Sequence, residues 1–407
     1  MTPHHAIDAY TIIQDEIHIG GKPISQLAQQ IGQTPFYAYD RAAICQRIHT
    51  LKTQLPPSIA LHYAIKANPF PPVVNLLAQQ VDGFDIASDG ELALALASGM
   101  PAHQISFAGP AKTQAELSAA LQAGVTLHVE SATELARIQQ HSETTGVMPR
   151  VALRVNPAFT LKASGMQMGG GPQPFGIDEE QIPEVLKQMA AYGIPLRGLH
   201  IYAGSQNLRA DAIIAAQQAS FELAYRLADH YPGDLASLNI GGGFGIPYFP
   251  GQHPLDIQPI AAALHQRMDE SRARLGPTQV ILEMGRYLVG EAGIYVCEVI
   301  DRKISRGRQY VLTNGGLHHH LAASGNFGQV IRKNYPVVHA QRVSGGEREQ
   351  AHVVGPLCTP LDILADNIAL GKTKPGDLIA VLQSGAYGYS ASPQQFLSHA
   401  PIREQLV

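Results

Sequence analysis

Charge is scarce in this 407-residue chain: Asp, Glu, Lys and Arg together make up 15%. That is too little for a disordered or coiled-coil protein. An excess of one sign is also missing. The 33 acidic and 29 basic residues leave a formal net charge of −4, so no overall basic field draws the chain to nucleic acid or anionic lipid. No apolar run reaches the length of a membrane span. The first residues, Met1-Thr2-Pro3-His4-His5, lack the basic and apolar stretches of a secretory leader. Cysteine is nearly absent. Cys45, Cys297 and Cys358 are an odd count with no close pair, which excludes a disulfide framework or a four-cysteine zinc site and points to a reducing cytoplasm. What remains is apolar: 45% of the chain, enough for a large core, at a length that suits two or three domains of ~150 residues.

Eight short β-rich runs alternate with helical stretches: Ile59–Ile65, Gly83–Ala87, Gln104–Ala108, Val125–Val129, Arg150–Val155, Arg197–Ala203, Ser237–Ile240 and Gln279–Glu283. Amphipathic windows lie between them, such as Thr113–Ala123, Ile182–Tyr192 and Asp211–His230. Eight strand–helix units over ~250 residues suit a (β/α)8 TIM barrel, although a doubly wound sheet alternates in the same way. After Glu283 the helices nearly vanish and β-branched runs broken by Gly and Pro take over, as at Gly293–Ile300 and Asp377–Val381. The expected organisation is N-terminal strands in 1–35 joining a β domain, a barrel over 36–284, and an all-β C-terminal domain over 285–407.

Barrel active sites lie at the C-terminal ends of the strands. Here those ends carry Lys66, Asp85, Arg154, His200 followed by Ser205, the loop Gly241-Gly242-Gly243-Phe244-Gly245, and Glu283 followed by Gly285 and Arg286. Lys66 closes the apolar run Leu61–Ile65. It is either a lysine snorkelling to the surface or an amine held in a site, where it can form an imine with a carbonyl cofactor. The glycine loop is either a plain turn or a phosphate cradle. It matches neither the Walker loop nor the dinucleotide fingerprint. Three adjacent histidines, His318 to His320, cannot all face one ion, and no metal is expected there. Cys358 reads by default as a small buried hydrophobe.

Together these residues resemble the fold-type III pyridoxal-phosphate decarboxylases, the group of diaminopimelate, ornithine and arginine decarboxylases. The likeness runs from Thr34-Pro35-Phe36-Tyr37 to Gly385-Ala386-Tyr387-Gly388. It is carried by His62-Tyr63-Ala64-Ile65-Lys66-Ala67-Asn68, Phe84-Asp85-Ile86-Ala87-Ser88, the glycine loop, Glu283-Met284-Gly285-Arg286-Tyr287, and Cys358 with Asp362. The resemblance implies pyridoxal 5′-phosphate (PLP) as cofactor and Lys66 as the amine that carries it. It also implies His200 stacked on the ring, Glu283 paired with the ring nitrogen, and Ser205, Gly242, Gly243, Gly285, Arg286 and Tyr387 around the phosphate. Asp85 and Arg154 are similar to supporting residues. Cys358 resembles a cysteine that a second subunit supplies to protonate the carbanion, which implies a homodimer with shared sites. Arg286, Thr359, Asp362 and Tyr387 fall where such enzymes hold substrate. An anionic Glu283 favours a protonated ring and hence decarboxylation over racemisation. A racemase on the same fold and a non-catalytic, partner-binding homologue are the alternatives.

Two positions depart from the diaminopimelate pattern. Thr359 stands where those enzymes have an acid, and the stretch Asn314–Ala323 lacks their arginine, with Ala322 near its place. A hydroxyl cannot pair an amine as an acid does, and alanine cannot fork a carboxylate. The run from His319 to Gly328, with His200–Gly204, looks closer to a branch found in biosynthetic clusters and beside exosortase loci. Some of its members decarboxylate an amino acid tethered to an acyl-carrier protein. A carrier could supply the binding energy that a distal clamp otherwise gives.

Overall fold

In a computed structural model, the described residues are 7, 9–160, 166–167, 169–327, 329 and 331–407. The Met1–His5 segment read above for a leader, and Gly328 at the end of the branch-like run, lie outside them. The chain divides into two compact units: Arg47–Gly245 with Leu255–Gly285, and Met1–Gln46 with Ile246–Pro254 and Arg286–Val407.

The first unit is a closed barrel of eight parallel strands. We label them β1 (Ile59–Ala64), β2 (Gly83–Ile86), β3 (Ile105–Phe107), β4 (Thr126–Val129), β5 (Arg150–Asn156), β6 (Leu196–Ile201), β7 (Ser237–Gly242) and β8 (Gln279–Met284). Each pairs in parallel with the next, and β8 closes on β1. Most are buried along their length, as parallel strands under a helical coat must be. The helices start and stop on local signals. In Gln114–Ala123, Thr113 and Glu116 form a reciprocal capping box, and Gly124 ends the helix at φ 76°. Lys112 is buried beside this start and donates to Glu134 at 2.6 Å and to the carbonyl of His128 at 2.8 Å.

The second unit is β-rich. Its main sheet runs Val337–His339, Leu378–Val381, Gly293–Ser305, Arg308–Thr313, Arg348–Val354, Ile363–Gly371. Phe36–Tyr39 pairs with both Gly293–Ser305 and Arg403–Leu406. Sequence placed residues 36–46 in the barrel domain; the structure groups them with the β unit, because Phe36 and Ala38 share a core with Ile294, Val296 and Ala380. The strand Glu16–Ile19 and the helix Ile24–Ile31 add Ile17, Ile19, Ile24 and Leu27 to that core. Ile246–Pro254, which follows the glycine loop, also belongs to this unit.

Within the β unit, the Tyr39 hydroxyl donates to Glu404 at 2.6 Å. Burial pushes the Glu404 carboxyl up to about 7, against the pull of that hydrogen bond. The folded chain therefore keeps a proton that the unfolded chain releases near the ordinary glutamate value. The stabilisation is complete at low pH and is lost as pH rises through 7, a difference of about 3 kcal/mol. Glu404→Gln keeps an acceptor for Tyr39 and removes the titration. Denaturant unfolding between pH 4 and 8 should show the parent losing about 3 kcal/mol relative to this variant; parallel stability curves would contradict the assignment.

Candidate active site

Residues directly opposite each other in a parallel ladder point to the same side. In β5, β6 and β7 the register sets Arg154 beside His200 and His200 beside Asn239. Between β8 and β1 it sets Glu283 beside His62, and from β1 to β3 it aligns Ala64, Asp85 and Ser106. Side-chain contacts then join these polar residues: His62 Nδ1 lies 3.4 Å from Asp85 Oδ1, and His200 Nε2 3.2 Å from Glu283 Oε1. They line, in part, a cavity of 160 Å³ bounded by Lys66, Asp85, Gly109, Arg154, Phe175, His200, Tyr202 and Glu283. Lys66 sits on the single turn Ile65–Ala67 that ends β1, with its side chain exposed into this cavity mouth. Neither of its neighbours Ile65 and Ala67 leaves the core.

Glu283 is the electrostatic centre. Burial alone would raise its pKa, but the charge and hydrogen bond of His200, with a smaller contribution from Lys66, win and hold the carboxyl well below the usual range. Its Oε1 lies 3.2 Å from His200 Nε2 and accepts from Asn239 Nδ2 at 2.7 Å. The Asn239 side-chain oxygen in turn accepts from the Gly241 N–H at 2.8 Å, so one amide ties the acid to the glycine loop. Behind His200 stands His128, with the two Nδ1 atoms 2.9 Å apart. Burial, then repulsion from His200, holds His128 neutral, far below the ordinary histidine value. His128, His200 and Glu283 place ligand-type atoms within 4.8 Å of one another; they form part of the same polar layer.

Asp85 behaves oppositely to Glu283. Burial and the nearby Glu283 charge raise it, while His62 opposes the shift. Its Oδ1 takes a short hydrogen bond from Ser106 and meets His62 Nδ1 at 3.4 Å. Burial would lower His62, but Asp85 raises it. Two carboxyl groups pushed apart in this way are the mark of a site with distinct proton roles. Arg154 spends its charge on Glu130 at 2.9 Å and lies over the Phe175 ring. Glu130 also accepts from the N–H groups of Gly109 and Gly176, so it braces two residues of the cavity wall, Gly109 and Arg154.

The glycine loop is pressed against its surroundings. A Cβ on Gly242 would lie 1.9 Å from the Glu283 carbonyl, and Gly241 and Gly243 have φ of 67° and 80°. Two backbone hydrogen bonds, Asn207 N to Gly243 O and Gly245 N to Asn207 O, zip it to the loop that carries Ser205. Gly285, just past β8, is packed against Ala67, 3.0 Å from where its Cβ would stand.

These groups fit PLP. An anionic carboxylate can hold a ring nitrogen's proton, a lysine amine can take an aldehyde, and a glycine loop can admit a phosphate. Asp85 Oδ2 is buried without a hydrogen-bond partner, as expected of an atom that faces a polar ligand. The pyridoxal-binding domain of the pyridoxal-dependent decarboxylases matches residues 41–290. The chain belongs to that family.

Relatives agree along nearly the whole length. The L-glutamyl-[BtrI acyl-carrier protein] decarboxylase of Niallia circulans is 39% identical over 90% of this chain and 87% of its own. Diaminopimelate decarboxylase of Aquifex aeolicus is 30% identical over 93% and 87%. The crystal structure of diaminopimelate decarboxylase from Helicobacter pylori, complexed with L-lysine, superposes with a TM-score of 0.84 at 27% identity, covering 94% of both chains. The protein is thus a PLP-dependent amino-acid decarboxylase, a carboxy-lyase. The racemase and partner-binding alternatives find no support among these relatives. Bound PLP supplies the electron sink that accepts the charge left when carbon dioxide departs. Glu283 would hold the proton on its ring nitrogen, and Asn239 and His200 keep Glu283 in place and ionised.

In the β unit, Arg286 donates to the Tyr248 hydroxyl at 2.9 Å and stacks on the rings of Tyr248 and Tyr387. Tyr387 adopts φ 54°, an unusual value for a tyrosine. Cys358 is exposed, against the default expectation of a buried hydrophobe. Asp362 is buried, and its two oxygens accept from the N–H groups of Leu317 and Leu357. It therefore shapes the turn that presents Cys358 and half-buried Thr359. Ser106, His128, Glu130 and Asn239 escaped the sequence reading, and His62 entered it only as part of a motif, without a role. The available signal was a polar residue within or just after an apolar strand.

Lys66→Ala should fold as the parent does by circular dichroism yet fail to acquire the visible absorbance that the parent gains with PLP. Retention of that absorbance would remove Lys66 from the site. Gly242→Ala should weaken PLP binding by at least about tenfold, since the methyl cannot share space with the Glu283 carbonyl; equal affinity in a PLP titration would show that the loop does not bear on the cofactor.

Proposed function

We propose that this decarboxylase acts on an L-amino acid whose distal end is joined to a carrier protein, with a carrier-bound L-glutamyl group as the leading case. The observation that carries the reading is the lack of charge in the segments that hold the distal group in the diaminopimelate enzymes. Thr359 follows Cys358 in place of an acid, and buried Ala322 falls near the place of an arginine. The neighbouring His318, His319 and His320 are buried, and burial pushes them down to about 4, about 3 and about 3. Neutral imidazoles offer hydrogen bonds but no countercharge to a free carboxylate. A tethered substrate has no free distal carboxylate, and the Niallia circulans relative is a decarboxylase of a carrier-bound L-glutamyl group.

The roles follow the site. Lys66, Asp85, Arg154, His200, Ser205, Gly242, Gly243, Glu283 and Gly285 hold and tune the cofactor. Arg286 and Tyr387 receive anionic groups of cofactor and substrate, and Thr359, positioned by Asp362, meets the substrate. The protein works as a homodimer with shared sites, in which Cys358 of a second copy delivers the proton that replaces carbon dioxide. The exposure of that thiol supports this reading. The setting is cytoplasmic: the three cysteines are free, and no helix among the described residues is long and apolar enough to cross a membrane.

Carbon dioxide release from the PLP-loaded protein tests the substrate. Diaminopimelate, lysine, ornithine, arginine and glutamate should be offered free, and glutamate also as the carrier-loaded glutamyl group. The loaded form should exceed every free amino acid by about a hundredfold or more in kcat/KM. Turnover of free diaminopimelate at a comparable kcat/KM would overturn the reading.

A further inference from the structure

We propose that the β unit carries a second binding site, one for a phosphate group. A cavity of 410 Å³ opens between the strand Gly293–Ser305, the segment 342–347 and the loop after Ile363–Gly371. Its lining brings four cations, Arg302, Arg342, Lys372 and Lys374, against a single acid, Glu347. The ion pairs in and around it leave charge to spare. Arg302 meets Glu349 and Arg342 meets Asp377, while Lys372 and Glu347 lie 3.3 Å apart with both side chains largely in water, where pairing is weak. Among the described residues no carboxylate pairs with exposed Lys374.

Charge alone does not make a site; two unsatisfied donors add the specificity. Thr373, between the two lysines, is only 2% exposed, and its hydroxyl has no hydrogen-bond partner. Arg302 Nε is likewise buried and unpartnered. Buried polar groups in folded proteins are normally satisfied. A donor of each kind in a cationic cavity calls for an acceptor with several oxygens and more than one negative charge. A phosphate group meets both needs.

The walls are set before any ligand arrives. Lys372 N donates to the Glu347 carbonyl, Lys374 N to Asp377, and Gly376 N to the Val299 carbonyl. Across the cavity, Asp15 accepts from Ser344 and from the Gly345 N–H, which pins a rim that carries no bulky side chain at Gly345 or Gly346. A loop held at both ends keeps the Thr373 hydroxyl in place, so little ordering entropy is lost on binding. The volume lies within the range of small-molecule sites, larger than a bare phosphate requires. The phosphate therefore comes as part of a larger molecule, either a free phosphorylated metabolite or the phosphate-bearing arm of a carrier. The site lies wholly within the β unit and stands whether or not the substrate is tethered.

Calorimetric titration of the PLP-loaded protein, with the cofactor's own phosphate site filled, tests the proposal. Inorganic phosphate is the first probe; glycerol 3-phosphate and a phosphopantetheinylated acyl-carrier protein are the second and third. Inorganic phosphate should bind saturably. The affinity should fall about tenfold or more in Lys374→Ala and in Thr373→Val, and be retained in Thr373→Ser, which keeps the hydroxyl. Tighter binding of glycerol 3-phosphate assigns the site to a free metabolite, and tighter binding of the carrier protein assigns it to a prosthetic arm. Absence of saturable phosphate binding, or binding unchanged in Lys374→Ala and Thr373→Val, overturns the proposal.

Discussion

The barrel keeps a negative charge where burial disfavours one, and the rest of the site is arranged around that fact. Glu283 is the penultimate residue of the last barrel strand, beside His62 in the register and within reach of His200. A lone carboxylate at such a depth would take up a proton. Here the positive charge of His200 and the amide of Asn239 reverse the preference. The same field acts on the neighbours. Asp85 is pushed up in part because Glu283 is ionised, and His128 is kept neutral in part by His200. The charge on Glu283 thus bears on Asp85, and that on His200 bears on both Glu283 and His128.

The anion is also mechanically coupled to the glycine loop. Asn239 touches both Glu283 and the first glycine, and Gly242 leaves no room for a side chain against the Glu283 carbonyl. Bound PLP would therefore find a ring acid and a glycine loop on adjoining strands, β7 and β8. That explains why the loop needs glycine at Gly242, where a close approach demands it, as well as at Gly241 and Gly243, where positive φ does.

Much of the barrel is legible in the chain because parallel strands buried on both faces leave continuous apolar runs, and each of the eight runs read from sequence became a strand whose ends differ by no more than two residues. Lys66, Asp85, Arg154, His200 and Glu283 stood out because charge is rare at the end of such runs. His128 and Asn239 did not, since a single histidine or asparagine inside a strand has no local signature and gains its meaning only from the partner across the barrel. Phe36–Tyr39 was assigned to the barrel for a similar reason: its partners, Gly293–Ser305 and Arg403–Leu406, lie more than 250 residues further along the chain. Sequence-local reasoning cannot see a pairing of that range. The default expectation for Cys358 failed because nothing nearby signals that Asp362 holds its turn open to solvent.

Nitrogen-15 magnetic resonance of the protein loaded with PLP labelled at the ring nitrogen reports most directly on the central charge. The account predicts a protonated ring nitrogen in the parent at neutral pH, and loss of that signal in Glu283→Gln, where no anion remains to hold the proton. An unprotonated ring in the parent, or a protonated ring that survives the substitution, would contradict the view that an ionised Glu283 governs this site.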